Sequence, residues 1–244
     1  MRDRHRLSTW IGLIWLFAGV AATAAADPEE PAPSAQAGQR PDFMFGRPKV
    51  VAGVRGAWLA PRESGQLFDF IRDQLTIDRS AFMTPAISAD AGFMLTDRLS
   101  LLAGVEASRA TTDSEYRHFI GSDGLPIAQS STLRHVGIHA SLKVALLRSG
   151  RRLSRLAWIP RTVTPFVGGG ADFVQYRFTQ TGEFVDFIDS SIFPHTFSST
   201  GWGRGGHLFG GADIRIWRNV YLTAQGRYVR AHARLGPDFV DPRA

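Results

Sequence analysis

The sequence predicts an all-β protein: an antiparallel, up-and-down transmembrane β-barrel of the eight-strand class, in which seven strands can be counted. Three observations predict this fold. Strand-length segments alternate small or apolar residues with polar ones, their connections are alternately short and long, and an export signal comes first. A period of two gives each strand one face toward an apolar environment and one face toward water or charge.

The clearest alternation runs from Ile87 to Thr96 and, after an Asp97-Arg98 turn, resumes from Leu99 to Ser108. Five further segments alternate in the same way. The seven predicted strands lie at 49–59, 87–96, 99–108, 135–146, 164–178, 207–216 and 222–228. The Gly168-Gly169-Gly170 run in the fifth strand indicates a tightly curved wall with little side-chain bulk.

The first 26 residues read as a signal peptide, with Arg2, Arg4 and Arg6 before the apolar run Trp10 to Val20. Ala24-Ala25-Ala26 is a small-residue cleavage site. We then expect a flexible periplasmic linker at 27–47, the barrel at 48–235 and a C-terminal tail at 236–244. No later segment has the ~18 consecutive apolar residues that a spanning helix requires.

Composition excludes several classes of protein. The chain has no cysteine, which excludes disulfides, thiolate metal sites and a cysteine nucleophile. Its formal charge of +6 comes from arginine, since Lys49 and Lys143 are the only lysines. Export argues against a nucleic-acid partner, and arginine at a lipopolysaccharide-rich surface or in a lumen explains the same bias.

The connections predict the orientation. Those after the first, third and fifth strands are long and should lie outside the cell, whereas the tight ones should lie in the periplasm. Aromatic residues near the strand ends suggest interfacial girdles: Trp217, Tyr221 and Trp158 on the periplasmic side, and Trp58, Tyr176 and Trp202 on the external side.

Three segments carry a family resemblance: GQLFDFIRDQLTIDRSAF, LAWIPRTVTPFVGGGADFVQYRF and GEFVDF. They resemble outer-membrane β-barrel proteins, distantly similar to the small OmpA/OmpW-type eight-stranded barrels. The resemblance implies a Gram-negative cell outer membrane, insertion by the barrel-assembly machinery, and a last strand ending on an aromatic residue. Because the chain ends on Ala244 after a proline-bounded stretch, we expect a missing or truncated last strand; alternatively, part of Phe184 to Phe197 pairs as a strand.

The charged residues on the inward faces of the strands form the candidate interior network. Opposite charges there should pair across the lumen and fill it, because an eight-stranded barrel has room for little else. The network comprises Arg55, Asp90, Glu106, Lys143, Asp172, Asp213, Arg215 and Arg227. A narrow channel or carrier for small or hydrophobic solutes is the alternative.

His139 and Ser141 share one face of a strand, and a His-x-Ser pair resembles the catalytic pair of lipid A 3-O-deacylases. Alternation turns both residues inward, where a lipid ester cannot reach. We therefore predict no catalytic, metal or cofactor site, and a barrel-borne esterase is only the third hypothesis. A soluble, lipocalin-like barrel would instead have an apolar cavity.

The external loops are the better candidates for function. An apolar stripe at Phe68, Phe70 and Ile71, extended by Phe187 and Phe193, either caps the barrel mouth or binds a small hydrophobic ligand. The sequence thus favours a non-enzymatic outer-membrane protein with a structural or loop-mediated binding role. Its partners should be outer-membrane lipids, the assembly machinery and such a ligand.

Overall fold

A computed structural model gives the fold of the chain. It describes residues 17–22, 44–60, 73–77, 81–121, 124–154, 157–186 and 191–233. The predicted C-terminal tail and most of the predicted signal peptide lie outside these ranges. In the described part of the chain, no helix has the length and apolar character needed to cross a membrane.

The described chain is a closed barrel of eight antiparallel strands, which confirms the predicted fold class. Seven strands follow one another up and down in the predicted order. They are β3 (Val50–Leu59), β4 (Thr84–Met94), β5 (Leu99–Ile120), β6 (Pro126–Ala145), β9 (Val163–Val185), β10 (Ile192–Arg215) and β11 (Val220–Ala233). Backbone hydrogen bonds from Leu95 to Leu99 and from Ile216 to Val220 close the tight turns at one end.

The eighth strand comes from the amino-terminal end of the chain. β1 (Phe17–Ala22) pairs with β11 on one side and with β3 on the other, and so closes the barrel. It lies within the predicted signal peptide, so cleavage after Ala26 would remove it. In the segment Phe184 to Phe197, the described ends Phe184–Val185 and Ile192–Phe197 pair as extensions of β9 and β10 and not as a strand of their own.

The register gives the barrel its tilt. The stagger is found by following directly paired residues around the barrel from Val105 on β5. In one direction they end at His232 of β11, and in the other direction they end at Leu222 of the same strand, ten residues away. Eight strands with this stagger tilt by roughly 40° and enclose an interior that side chains can fill.

The strand faces follow the alternation. On β6, Ile138 and Leu142 are 54% and 43% exposed outside, whereas His139 and Ser141 are buried inside. The inward-facing Gly170 leaves the space for a ring, because a Cβ there would lie 2.8 Å from Cε1 of His207. Glycine in this wall therefore admits large side chains from the neighbouring strand.

Four strands are longer than the sequence predicts. The segments expected to be the second and third long loops are upper parts of β5, β6, β9 and β10, which reach 20 to 24 residues. Those segments are rich in Thr, Ser and Gln, and these residues give no apolar alternation. They pair nonetheless, for example Thr111 with Thr132, with one register shift between Glu115 and Ile120 of β5.

A small sheet lies at the lower, tight-turn end. β2 (Met44–Phe45) pairs with β8 (Ala157–Pro160), and β8 pairs with β7 (Gly150–Arg152). The end of the predicted linker is therefore ordered. Trp158 is only 3% exposed and faces the interior, which corrects its assignment to a girdle.

Two other aromatic residues also depart from the predicted girdles. Tyr176 is buried, with its hydroxyl 3.2 Å from Oγ of Ser199, and Tyr221 lines the interior. Their strand positions have inward parity, which nearness to a strand end does not reveal. Trp58, Trp202 and Trp217 are exposed.

An apolar cluster fills the upper, opposite mouth. The segment 73–77 runs beside β5, where the amide of Thr76 donates to the carbonyl of Glu115 at 2.9 Å. Its side chains pack against the inner walls of β5, β6 and β9. The cluster consists of Leu75, Ile77, Phe82, Ala110, Leu133 and Phe178.

We predict that closure depends on β1. Deleting residues 1–26 leaves β3 and β11 with unpaired backbone groups, each costing several kcal/mol in an apolar environment. Refolded in detergent, the shortened chain should lose the heat-dependent mobility shift in SDS gels that the full chain shows. Val20→Pro, which removes one backbone donor of β1 from the ladder, should weaken the shift. An undiminished shift in the deletion variant would contradict this role.

Candidate functional site: the charged interior

Arg227 crosses the interior and holds two carboxylates from other strands. Its Nη1 donates to Oε2 of Glu106 on β5 at 2.8 Å, and its Nη2 donates to Oδ1 of Asp172 on β9. The Arg227 side chain is 3% exposed. One guanidinium therefore ties β11 to β5 and β9 through charge-assisted hydrogen bonds.

Asp172 continues this network to a histidine and a serine. Nδ1 of His207 lies 2.6 Å from Oδ2 of Asp172, and Nε2 lies 2.8 Å from Oγ of Ser141. A neutral imidazole protonated at Nδ1 satisfies both contacts by donating to Asp172 and accepting from the serine hydroxyl. The three residues thus form a buried Ser-His-Asp chain.

A second layer lies nearer the tight-turn end. Nη2 of Arg55 donates to Oδ1 of Asp90 at 2.6 Å, and Nη1 donates to Oε1 of Gln225 at 3.1 Å. Nζ of Lys143 donates to Oδ2 of Asp213 at 2.6 Å. These contacts bring β3, β4 and β11 together, and join β6 to β10.

Further contacts support the Lys143–Asp213 pair. The Thr223 hydroxyl donates to Oδ1 of Asp213 at 2.8 Å, and the Lys143 ammonium lies 3.8 Å from the centre of the Phe166 ring. Cation–π contact and hydrogen bonding both offset the loss of water around the charges. The charged groups of both layers are therefore paired across the lumen, whereas Nε of Arg227 and Nδ1 of His139 are buried without a hydrogen-bond partner among the described residues.

Seven of the eight residues predicted for the interior network take part in these contacts. Arg215, the eighth, is half-buried at the lower end of β10, opposite Tyr221. Of the predicted loop contacts, Phe68, Phe70, Ile71 and Phe187 lie outside the described residues. Phe193 is described and is 36% exposed.

The His139–Ser141 pair is not assembled as the esterase hypothesis requires. Ser141 bonds to His207, and the His139 ring instead meets the His207 ring edge-on at 6.0 Å between centres. The partner of Ser141 is 66 residues away in sequence. Register, not local spacing, decides which histidine reaches the serine.

A cavity of about 100 Å³ lies between the charged layers and the small lower sheet. Arg55, Asp90, Lys143, Asp213 and Trp158 line it. Ser141 and His207 do not line this cavity. Among the described residues, no group of three or more histidine or acidic side chains could hold a metal ion.

An aromatic patch lies on the inner face of the upper wall. We define it as Phe184, Phe193, His195 and Phe197. The Phe184 ring meets Phe197 edge-on at 4.6 Å between centres, and His195 lies 4.5 Å from Phe197. Phe184 is buried and Phe193 is partly exposed, so the patch presents an apolar edge at the outer end.

The predicted network did not name four contributors to the interior: His207, Thr223, Gln225 and Trp158. Alternation places the first three on the inward polar faces of their strands, but the predicted network named only charged residues. The partners of these three residues depend on the register of strands distant in sequence, which no local pattern gives.

Comparison with known proteins adds little. No family model and no curated protein sequence matches the chain. Among solved structures, the chain is similar to Ail, the attachment invasion locus protein of Yersinia pestis, crystallised with the heparin analogue sucrose octasulfate. The match has 7% identity, 92% coverage of this chain, 100% coverage of Ail and a TM-score of 0.24. The closed order of its own eight strands defines the fold of the chain.

We predict that Arg227 is the most sensitive position in the interior. Arg227→Met leaves Glu106 and Asp172 buried without their cation and should reduce the free energy of unfolding by about 3–5 kcal/mol. Urea unfolding of the barrel in phospholipid vesicles measures this. Adding Glu106→Gln and Asp172→Asn should recover part of the loss.

The matched control is Arg204→Met, an exposed arginine on the neighbouring strand β10. It should change the free energy of unfolding by no more than about 0.5 kcal/mol. Equal effects of the two single substitutions would contradict the network's role.

Proposed function

We propose that this chain is a non-catalytic outer-membrane protein with a structural role and a binding surface at its outer end. The observation that carries the proposal is the inverted arrangement of the barrel, which has an apolar exterior around a charged, filled interior. The partners it implies are outer-membrane lipids, the barrel-assembly machinery and a small hydrophobic ligand.

The exterior argues for lipid. Large apolar side chains stand outward on strands around the barrel, with exposures of 61% for Ile87 on β4, 54% for Val105 on β5 and 68% for Leu208 on β10. A soluble protein rarely exposes a continuous apolar surface of this kind. A soluble lipocalin-like barrel would have the reverse arrangement, with the apolar residues in its cavity.

Strand lengths support exposure at one end. Strands of the length of β3 and β4, 10 and 11 residues, suffice to cross a bilayer. β5, β6, β9 and β10 are about twice as long, so their upper halves extend beyond the lipid as a wall. The tight turns and the small sheet lie at the opposite end, where such barrels face the periplasm.

The interior supports neither a pore nor an enzyme. The charged layers cross the lumen, while Trp158 and the Leu75 cluster lie at its two ends. Ser141 is 5% exposed, and Asp172 is shared between His207 and Arg227. An ester therefore has no described space beside the serine hydroxyl, which makes structure the better assignment for this Ser-His-Asp chain.

The aromatic patch is the proposed contact for a hydrophobic ligand, because it combines aromatic area with partial exposure beyond the lipid. Phe193→Ser should leave insertion and the heat-dependent gel shift unchanged but reduce the amount of co-purifying hydrophobic ligand several-fold. Mass spectrometry of organic extracts measures it. Phe173→Ser, a lipid-facing control on β9, should retain the ligand. Equal retention in both variants would remove the ligand site.

The assignment of Ser141 to structure is also testable. Ser141→Ala removes one hydrogen bond to His207 and should cost about 1 kcal/mol of unfolding free energy. The wild-type chain should not be labelled by a fluorophosphonate probe, which reacts with activated serines, and should not hydrolyse ester lipids. Labelling that disappears in Ser141→Ala would establish the esterase instead.

A further inference from the structure

Three arginines stand side by side on the outer surface of the barrel. Arg109 on β5 pairs directly with Arg134 on β6, and Arg134 pairs directly with Arg177 on β9. All three are exposed and share the outward face with Ala107 and Val136. We call these three residues the arginine row.

No ion pair to the arginine row is found among the described residues. Like charges directly opposite on neighbouring strands destabilise a sheet, because their Cβ atoms are only about 5 Å apart. Neither Arg109 nor Arg134 has an ion pair among the described residues, and Nε of Arg177 donates to the neutral Thr200 hydroxyl at 3.3 Å. The next outward residues above are also neutral: Thr111, Thr132 and Thr179. Anions from outside the described part of the chain would therefore stabilise the row.

The position of the row indicates which anions. Below it, the outward residues become apolar within a few positions, with Val105 and Phe173 more than half exposed. Above it, the outward surface is polar. Exposed Arg204 and Arg230 continue positive charge onto β10 and β11 near the same level. The row therefore lies at the upper boundary of the apolar surface, where headgroups meet a membrane protein.

We propose that the arginine row binds the phosphate groups of an anionic lipid in the outer leaflet. Guanidinium groups match phosphate oxygens with paired hydrogen bonds, and neighbouring guanidiniums can share one phosphorylated headgroup. The apolar surface beneath would hold the acyl chains of the same molecule. This inference rests on the proposed membrane location, but its binding test does not.

The test uses the purified full chain in neutral detergent, with phosphorylated lipid A as the probe. The variant Arg109→Gln/Arg134→Gln/Arg177→Gln should bind it about tenfold more weakly or worse. The matched control, Arg148→Gln/Arg151→Gln/Arg152→Gln, removes the same charge at the other end of the molecule and should bind as the wild type does. Equal weakening in the two variants would overturn the proposal.

Two further arms identify the ligand. The first arm uses lipid A without its phosphates, which should bind the wild type as weakly as phosphorylated lipid A binds the row variant. If the wild type binds both lipids equally well, the site does not recognise phosphate. Inorganic phosphate at the same concentration should not displace phosphorylated lipid A, whereas displacement would make the site one for free phosphate. Cell fractionation is scored separately, so a chain outside the outer membrane that still binds this lipid would overturn only the proposed location.

Discussion

The ion pairs of Arg227 with Glu106 and Asp172 are the constraint on which the rest of the interior depends. Burying one cation costs several kcal/mol, which is recovered only if acceptors meet it in good geometry. Two strands must therefore bring carboxylates to one level of β11. Asp172 then positions His207, and His207 holds Ser141. The network fixes the register of β5, β6, β9, β10 and β11 more specifically than apolar packing would.

This constraint also explains the glycines and the exterior. Rings and guanidiniums occupy the lumen only because inward positions such as Gly104 and Gly170 have no side chain; a Cβ at Gly104 would lie 2.7 Å from the His139 ring. The polar and charged side chains lie inside, and the outward face consists largely of Val, Ile, Leu and Phe. The molecule thus combines a core of paired charges with an apolar surface suited to lipid. The arginine row stands on that surface without an ion pair among the described residues.

Much of the fold could be predicted because apolar outward residues and polar inward residues alternate along each strand. The order of the seven strands, their faces and the tight turns follow from alternation in segments such as Ile138 to Leu142. Alternation of apolar and polar residues stops in the upper halves of β5 and β9, so the sequence predicts loops there. The eighth strand, β1, was missed because its apolar run also fits a signal peptide. The Ser141–His207 contact was missed because it depends on non-local register.

The central claim is that buried ion pairs seal the interior, and ionic conductance across a planar lipid bilayer tests it most directly. The full chain, inserted from detergent and shown by its heat-dependent gel shift to be folded, should give no resolvable unitary current at neutral pH. Steady, reproducible current steps from the folded chain would contradict the account, because ions would then have a continuous aqueous path past Arg227.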